Sequence, residues 1–476
     1  MRTILLFVAM GGLFFSPVVI GAQDDWSKSV EQPETSLPKT SLPIVSSTQS
    51  AVSPVGNTNS IATLNAGQSS NQLLLHLSGI ALMRSPQLRD AEATWHASQN
   101  DISEVKGARW PRVDFSANSK SKMFGTGNPY GNGTTNRASL TISYTLYDGG
   151  KIGKQISVKE FQAQSSYAKY RQVREQTLFD TTTAYLQILK YQRLADLHQQ
   201  YIERLELLVE KMGTIVQTIS GRRSELTQAT ARLLQARENK FAAEFKLREF
   251  EIQLAKLVSP ENLPVNLRGN IPNIEPIPIE QAKTAALQFH PMLVAAEADR
   301  MALNSTAEAI RTGIYWPTFD VLATRMSGVD VLGYSDPGQM YMSVKWNLFQ
   351  GFAGKSQEKA AIERANSAQE KYRQMIFEIE YKLDSSWADY INQSARADSL
   401  KTLSQSTEQV RSDYFTQWET LGRRSLLEVL TAENEHLTTM VNLATSELDK
   451  QIALTRMRFE SGTLATWMFG EAQVLP

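Results

Sequence analysis

Strict alternation of apolar and polar side chains marks four short stretches of this chain and predicts four β-strands. Val113, Phe115 and Ala117 alternate with Arg112, Asp114, Ser116 and Asn118, and Leu140, Ile142, Tyr144 and Leu146 alternate with Ser139, Thr141, Ser143 and Thr145. A period of two places one strand at about 112–124 and the next at about 138–147, joined as a hairpin by a Gly/Asn-rich loop, 125–136. The pattern returns later. Phe319, Val321 and Ala323 lead a strand at about 318–326, and Met340, Met342, Val344, Trp346 and Leu348 alternate with Tyr341, Ser343, Lys345 and Asn347 at about 339–348. About ten residues tilted by about 40° cover the height of an outer-membrane apolar band. Trp110, Tyr147, Trp316, Trp346 and Phe349 all stand at one end of these strands, as a membrane-interface girdle requires.

Elsewhere the period changes to three and four. From Lys154 to about Ser220 there is no proline, and Leu194, Leu197, Tyr201, Leu205, Leu208 and Met212 keep helical spacing, predicting a helix roughly 100 Å long. A return leg of half that length runs from Ser224 to about Leu257, and Lys355–Leu421 with Ser425 to about Glu460 repeats the pair. Shorter helices over Leu73–Arg84, from Pro86 to about Arg109 and over Pro291–Thr312 complete the set. Two short helices stacked end to end match one long helix, which predicts a tall cylinder of antiparallel helices.

The two sets are copies of one design. Ser85-Pro86-Gln87-Leu88 answers to His290-Pro291-Met292-Leu293, and Trp110-Pro111-Arg112-Val113-Asp114 to Trp316-Pro317-Thr318-Phe319-Asp320. Leu146-Tyr147-Asp148-Gly149-Gly150 answers to Leu348-Phe349-Gln350-Gly351-Phe352, and Gly221-Arg222-Arg223-Ser224 to Gly422-Arg423-Arg424-Ser425. The spacing of roughly 200 residues far exceeds ordinary solenoid periods and implies two tandem halves. They span 73–258 and 279–462, with hairpin tips at 220–224 and 421–425. A proline-rich linker, 259–278, reads as an equatorial strap, and an irregular tail is expected at 463–476. The fold class expected is mainly α with a transmembrane β-barrel contribution. Four strands cannot close a barrel: two copies would share about eight, whose interior side chains fill, and three about twelve around an aqueous bore, which a conduit favours.

The N-terminus adds a compartment. Arg2 precedes an apolar run from Ile4 to Ile20, closed by Gly21-Ala22, the layout of a signal peptide over residues 1–22; an anchor barely long enough to span is the alternative. Residues 23–72 are rich in Ser, Thr and Pro and read as a disordered leader. Basic and acidic residues balance at 49 each, so no net charge points to nucleic acid. Cysteine is absent, removing disulfides, thiolate chemistry and a lipid-attachment thiol. His76, His96, His198, His290 and His436 are scattered singly, with no metal-site spacing. Gly354-Lys355-Ser356 lacks the upstream glycine of a phosphate loop. Neither an enzyme nor a cofactor-binding protein is expected.

Taken in order, these landmarks resemble the TolC-like outer-membrane channel proteins of Gram-negative bacteria, over about Leu73–Gly462. The resemblance rests on the duplicated helix-strand-strand-helix plan and on the run Gly422 to Ala432. It implies a homotrimeric pore in outer-membrane lipid, with a helical tunnel crossing the periplasm and opened at its tips by a periplasmic adaptor and an inner-membrane ABC transporter. It further implies that Arg424 and Glu428 form the periplasmic gate, three copies of Glu428 making a cation-selecting ring. Thr431 stands where the family often has a further carboxylate, and the aromatic partner on the long helix is missing, with Glu419 nearest its place. A structural alternative stands beside this one. Ser425 to Glu428 is a capping box, and Arg423 and Arg424 complement the helix dipole. In the first half Thr227 replaces the glutamate, so Gly221, Arg222, Arg223 and Ser224, with Gly422, Arg423 and Ser425, are assigned to adaptor docking. The function expected is the export conduit of a type I protein secretion system, with a multidrug efflux pump and a non-conducting coiled-coil scaffold as alternatives.

Overall fold

A computed structural model describes residues 70–120, 135–262, 267, 269–327 and 338–470. The expected signal peptide, all but the end of the leader, most of the first hairpin loop and residues 471–476 lie outside them. The chain runs α1 (Ser70–Arg84), α2 (Pro86–Gly107), β1 (Arg112–Lys120), β2 (Thr135–Tyr147), α3 (Lys151–Thr218) and α4 (Arg223–Val258). After the linker come α5 (Ile279–Phe289), α6 (Pro291–Tyr315), β3 (Thr318–Ser327), β4 (Gln339–Lys345), α7 (Ala353–Glu419), α8 (Leu426–Glu460) and α9 (Leu464–Phe469).

The two long helices have 68 and 67 residues, and their return legs 36 and 35. Prolines set where the upper helices begin. Pro86 and Pro291 occupy the first turns of α2 and α6, where a missing N–H costs nothing. Ser85 Oγ accepts from Leu88 N at 3.2 Å, and His290 Nδ1 accepts from Met292 N at 3.2 Å. Two different side chains thus cap equivalent helices. Helix α3 is the backbone of the unit, packing on α2, α4, α6 and α8.

The four strands form one antiparallel sheet in the order β1-β2-β3-β4. Its register puts Val113 opposite Ile142, Phe115 opposite Leu140, Tyr144 opposite Val321, and Val321 opposite Met342. Directly opposed residues share a face, so over this stretch one face is apolar apart from Arg325, which stands opposite Leu140. Ser116 and Ser139, Thr145 and Asp320, and Thr141 and Thr324 join by hydrogen bonds on the other. None of the described helices covers the apolar face: Phe115 is 71% exposed, Met340 78% and Met342 65%.

The core concentrates near mid-length. Leu74, Leu77, Leu178, Tyr185, Ile188, Leu254, Leu448 and Leu464 bury there with linker residues Leu267 and Ile274. Ile274 N donates to Gln451 Oε1 at 3.2 Å, and Arg458 donates to the Glu275 carbonyl at 2.9 Å while lying over Trp467.

Several boundaries differ from those expected. Helix α1 begins at Ser70, three residues inside the predicted leader, because it carries Leu74 and Leu77 into the core. Strand β4 ends at Lys345, so Trp346 and Leu348 lie beyond it: β3 starts at Thr318, opposite Lys345, and offers no further ladder partner. The tail is not irregular where it is described. Residues 464–469 form α9, whose Leu464, Ala465 and Met468 fill the core. The turn before it holds Gly462 at φ 69°, where a Cβ would meet His290 Cα at 2.9 Å. Only glycine fits that approach.

Candidate gate at the two hairpin tips

In the second half, α7 ends at Glu419 and the chain reverses through Gly422, which adopts φ 59°. Arg423 N donates to the Gln417 carbonyl at 3.2 Å, and Ser425 becomes the N-cap of α8. The capping box is complete: Glu428 N donates to Ser425 Oγ at 3.3 Å, and Ser425 N donates to Glu428 Oε2 at 2.9 Å. The other oxygen of that carboxylate accepts from Arg424 Nη1 at 2.8 Å. Glu428 therefore caps the helix and holds the arginine at once. Donation from Ser425 N, then from Arg424, holds its carboxyl below the usual glutamate range. Ser425→Ala is expected to destabilise the start of α8 by about 1 kcal/mol, read as faster amide exchange at Glu428 and Val429.

Arg424 is fixed on two further sides. Its Nε donates to Gln417 Oε1 at 3.0 Å, and its guanidinium lies 4.2 Å from the centre of the Tyr414 ring. An aromatic partner on the long helix is thus present, against expectation, at Tyr414 and not near Glu419. Glu419 pairs with Lys211 of α3 instead. Tyr414 and Gln417 are three residues apart, on one face of α7. Thr431 is exposed on α8, its hydroxyl spent on the Leu427 carbonyl.

The first tip folds differently from the same four residues. Ser220–Arg222 forms a 3-10 turn, α4 begins at Arg223, and Ser224 makes no cap. The cause is Glu225, whose carboxylate takes Arg222 bidentately at 3.0 and 2.9 Å. Leu426 stands at that place in the second half, so Arg423, the counterpart of Arg222, has no such carboxylate, and it is Arg424, the counterpart of Arg223, that pairs with Glu428. Thr227 donates to the Arg223 carbonyl and makes no such contact. Gly221, Arg223, Ser224, Gly422, Arg423 and Ser425 are exposed and Arg222 is half-buried, with Ile219, Leu421 and Leu427 exposed among them.

Above the second tip lies a polar knot that sequence inspection missed. Arg411 Nε donates to Glu408 at 2.8 Å, and its Nη1 lies 3.4 Å from both oxygens of Glu433. Arg411 is 7% and Glu433 4% exposed. His436 Nε2 lies 3.1 Å from Glu408, and Arg204 and Tyr201 of α3 complete a cavity of about 250 Å³. At the far end of the unit, Trp110, Tyr147, Trp316, Trp346 and Phe349 are all well exposed.

Two tandem helix-strand-strand-helix halves, a shared sheet with a bare apolar face and paired hairpin tips define a channel-tunnel subunit. The chain belongs to the outer membrane efflux protein family, whose model matches residues 77–259 and 284–463. That is a family of outer-membrane channels reaching into the periplasm, not of enzymes. The outer membrane efflux protein BepC of Brucella suis is 21% identical over 408 residues, covering 82% of this chain and 85% of its own. Among solved structures, the outer-membrane protein VceC of Vibrio cholerae superposes with a TM-score of 0.71 at 17% identity, covering 83% of this chain and 98% of its own. The open-state MtrE outer-membrane channel of Neisseria gonorrhoeae gives 0.70 at 16% identity, covering 82% and 88%.

Proposed function

We propose that three copies pool their sheets into a twelve-stranded barrel and work as a passive export conduit of a type I protein secretion system. The observation that carries this reading is the uncovered apolar face of a sheet whose edge strands, β1 and β4, each have one free side. Lipid covers an apolar face but satisfies no backbone N–H, so the edges need neighbouring copies. Exposed apolar stripes support the same assembly, Leu234, Phe241, Phe245 and Ile252 on α4 and Phe377 and Tyr381 on α7.

At the other end, Arg424 and Glu428 are the gate, and a periplasmic adaptor with an inner-membrane ABC transporter opens it from the exposed tip residues. Arg424→Ala frees Glu428 and Tyr414 together and is expected to raise single-channel conductance in planar bilayers several-fold. Unchanged conductance would retire Arg424 as a latch, and a purified oligomer that never conducts, with or without that change, would remove the duct altogether. Absence of a lipid-attachment cysteine supports protein secretion. Likeness to the efflux protein BepC favours the second reading, efflux of small toxic molecules. A deletion strain separates them: loss of one large extracellular protein supports secretion, and accumulation of dyes and antibiotics supports efflux.

A further inference from the structure

The two halves differ where their long helices begin, and the difference lies beside a cavity of about 860 Å³. In the first half Asp148 caps α3, its carboxylate accepting from Gly150 N at 2.9 Å and from Ile152 N, and Gly150 takes φ 90°. In the second half Gln350 stands in place of Asp148, Phe352 in place of Gly150, and α7 has no side-chain cap.

Phe352 adopts φ 63°. A non-glycine residue in that region costs on the order of 1 kcal/mol or more and persists where the position serves a purpose. Its ring is 72% exposed, packed edge-on against Phe349 at 5.5 Å, itself 74% exposed. Both rings line the cavity, together with Leu348, Lys151 and Lys355. Neither lysine makes an ion pair among the described residues. Two unpaired cations and two displayed phenyl rings therefore share one concave site. It sits at the strand ends that lead into the helices, which in a channel reaching into the periplasm is the level of the inner leaflet of the outer membrane.

We propose that this cavity holds the headgroup of an anionic phospholipid of the periplasmic leaflet, with Lys151 and Lys355 on its phosphate and Phe349 and Phe352 against its acyl chains. The site rests on the membrane placement of the sheet. Charge complementarity selects the occupant: an apolar peptide would leave both ammonium groups unmatched, and a free phosphate would leave both rings bare. The strain at Phe352 is then offset only when lipid covers the ring.

Native mass spectrometry of the detergent-released oligomer, titrated with phosphatidylglycerol or phosphatidylcholine, tests this. The wild type is expected to retain phosphatidylglycerol over phosphatidylcholine by about 25-fold, and Lys151→Gln with Lys355→Gln to erase that preference, about fivefold per lysine. Phe352→Gly, which restores the residue type of the first half, is expected to weaken both lipids while leaving headgroup preference intact. Equal retention by all variants overturns the proposal, as does glycerol phosphate binding as well as lipid, or a change of oligomeric state in place of lipid loss. Conductance of the same samples keeps the two readings apart, since a lipid-free variant that still conducts leaves the duct standing.

Discussion

Arg411→Met is expected to cost about 3–4 kcal/mol of stability, because it strips Glu433 of its guanidinium while leaving the carboxylate buried. Burial already pushes the Glu433 carboxyl up, against the pull of Arg411 and Arg204. Without Arg411 the group must take a proton or lose its place. The reverse change is milder. Glu433→Leu leaves Arg411 its 2.8 Å bond to Glu408, which is half exposed. The double variant, Arg411→Met with Glu433→Leu, should recover most of the loss, as buried pairs replaced by apolar side chains commonly do. Thermal unfolding of the detergent-solubilised protein, followed by circular dichroism, checks the order. A single Arg411 variant that melts like the wild type would falsify the claim that this pair holds α7 to α8.

The second large effect is a dependence on pH near mid-length, where the end of α8 meets the start of α6. Burial, aided by Lys382, pushes the His290 imidazole down to about 4 from 6.5. Its Nδ1 must be unprotonated to accept from Met292 N, so geometry and titration agree. Between pH 6.5 and 4 the unfolded chain binds a proton that the folded chain refuses. Stability present above pH 6.5 is therefore lost on acidification, by about 3 kcal/mol at pH 4. Glu175 works the other way. Burial raises its carboxyl to about 7 from 4.5, despite donation from Ala465 N at 3.2 Å. Its contribution is complete below pH 4.5 and lost as pH rises through about 7. The two partly cancel in the wild type, so single variants are needed. His290→Ser, borrowing the cap that Ser85 provides in the first half, should flatten the acid limb, and Glu175→Gln should raise stability at pH 8. Melting temperatures from pH 4 to 8 would expose either failure: an acid limb unchanged in His290→Ser assigns the loss elsewhere.

Much of the fold was legible because its elements are long and strongly periodic. A period of two at Val113 to Ala117 or at Leu140 to Leu146 reports which side chains share a sheet face, and the three-four spacing from Leu194 to Met212 reports a buried stripe. The proposed gate residues, Arg424 and Glu428, were legible as a motif, but the further contacts of Arg424 were not. Gly221-Arg222-Arg223-Ser224 and Gly422-Arg423-Arg424-Ser425 are the same four letters, yet one makes a 3-10 turn and the other a capped helix start. The choice came from outside the repeat: Glu225 against Leu426, and Thr227 where Glu428 closes the capping box. Tyr414 lies ten residues before Arg424, across a chain reversal whose geometry no periodicity records.

By itself, the sequence determined the two halves, the alternating strands, the lengths of the helices and the sites of chain reversal. Each follows from interactions among residues close along the chain, where spacing alone dictates which side chains lie together. Tertiary structure decided the rest: that Arg424 stacks on Tyr414, that Arg411 and Glu433 bury together, that residues 464–469 coil into the core, and that Phe352 is strained beside an open cavity. Those outcomes depend on which surfaces meet after the chain has turned back on itself, and contact between distant residues leaves no period in the sequence to read.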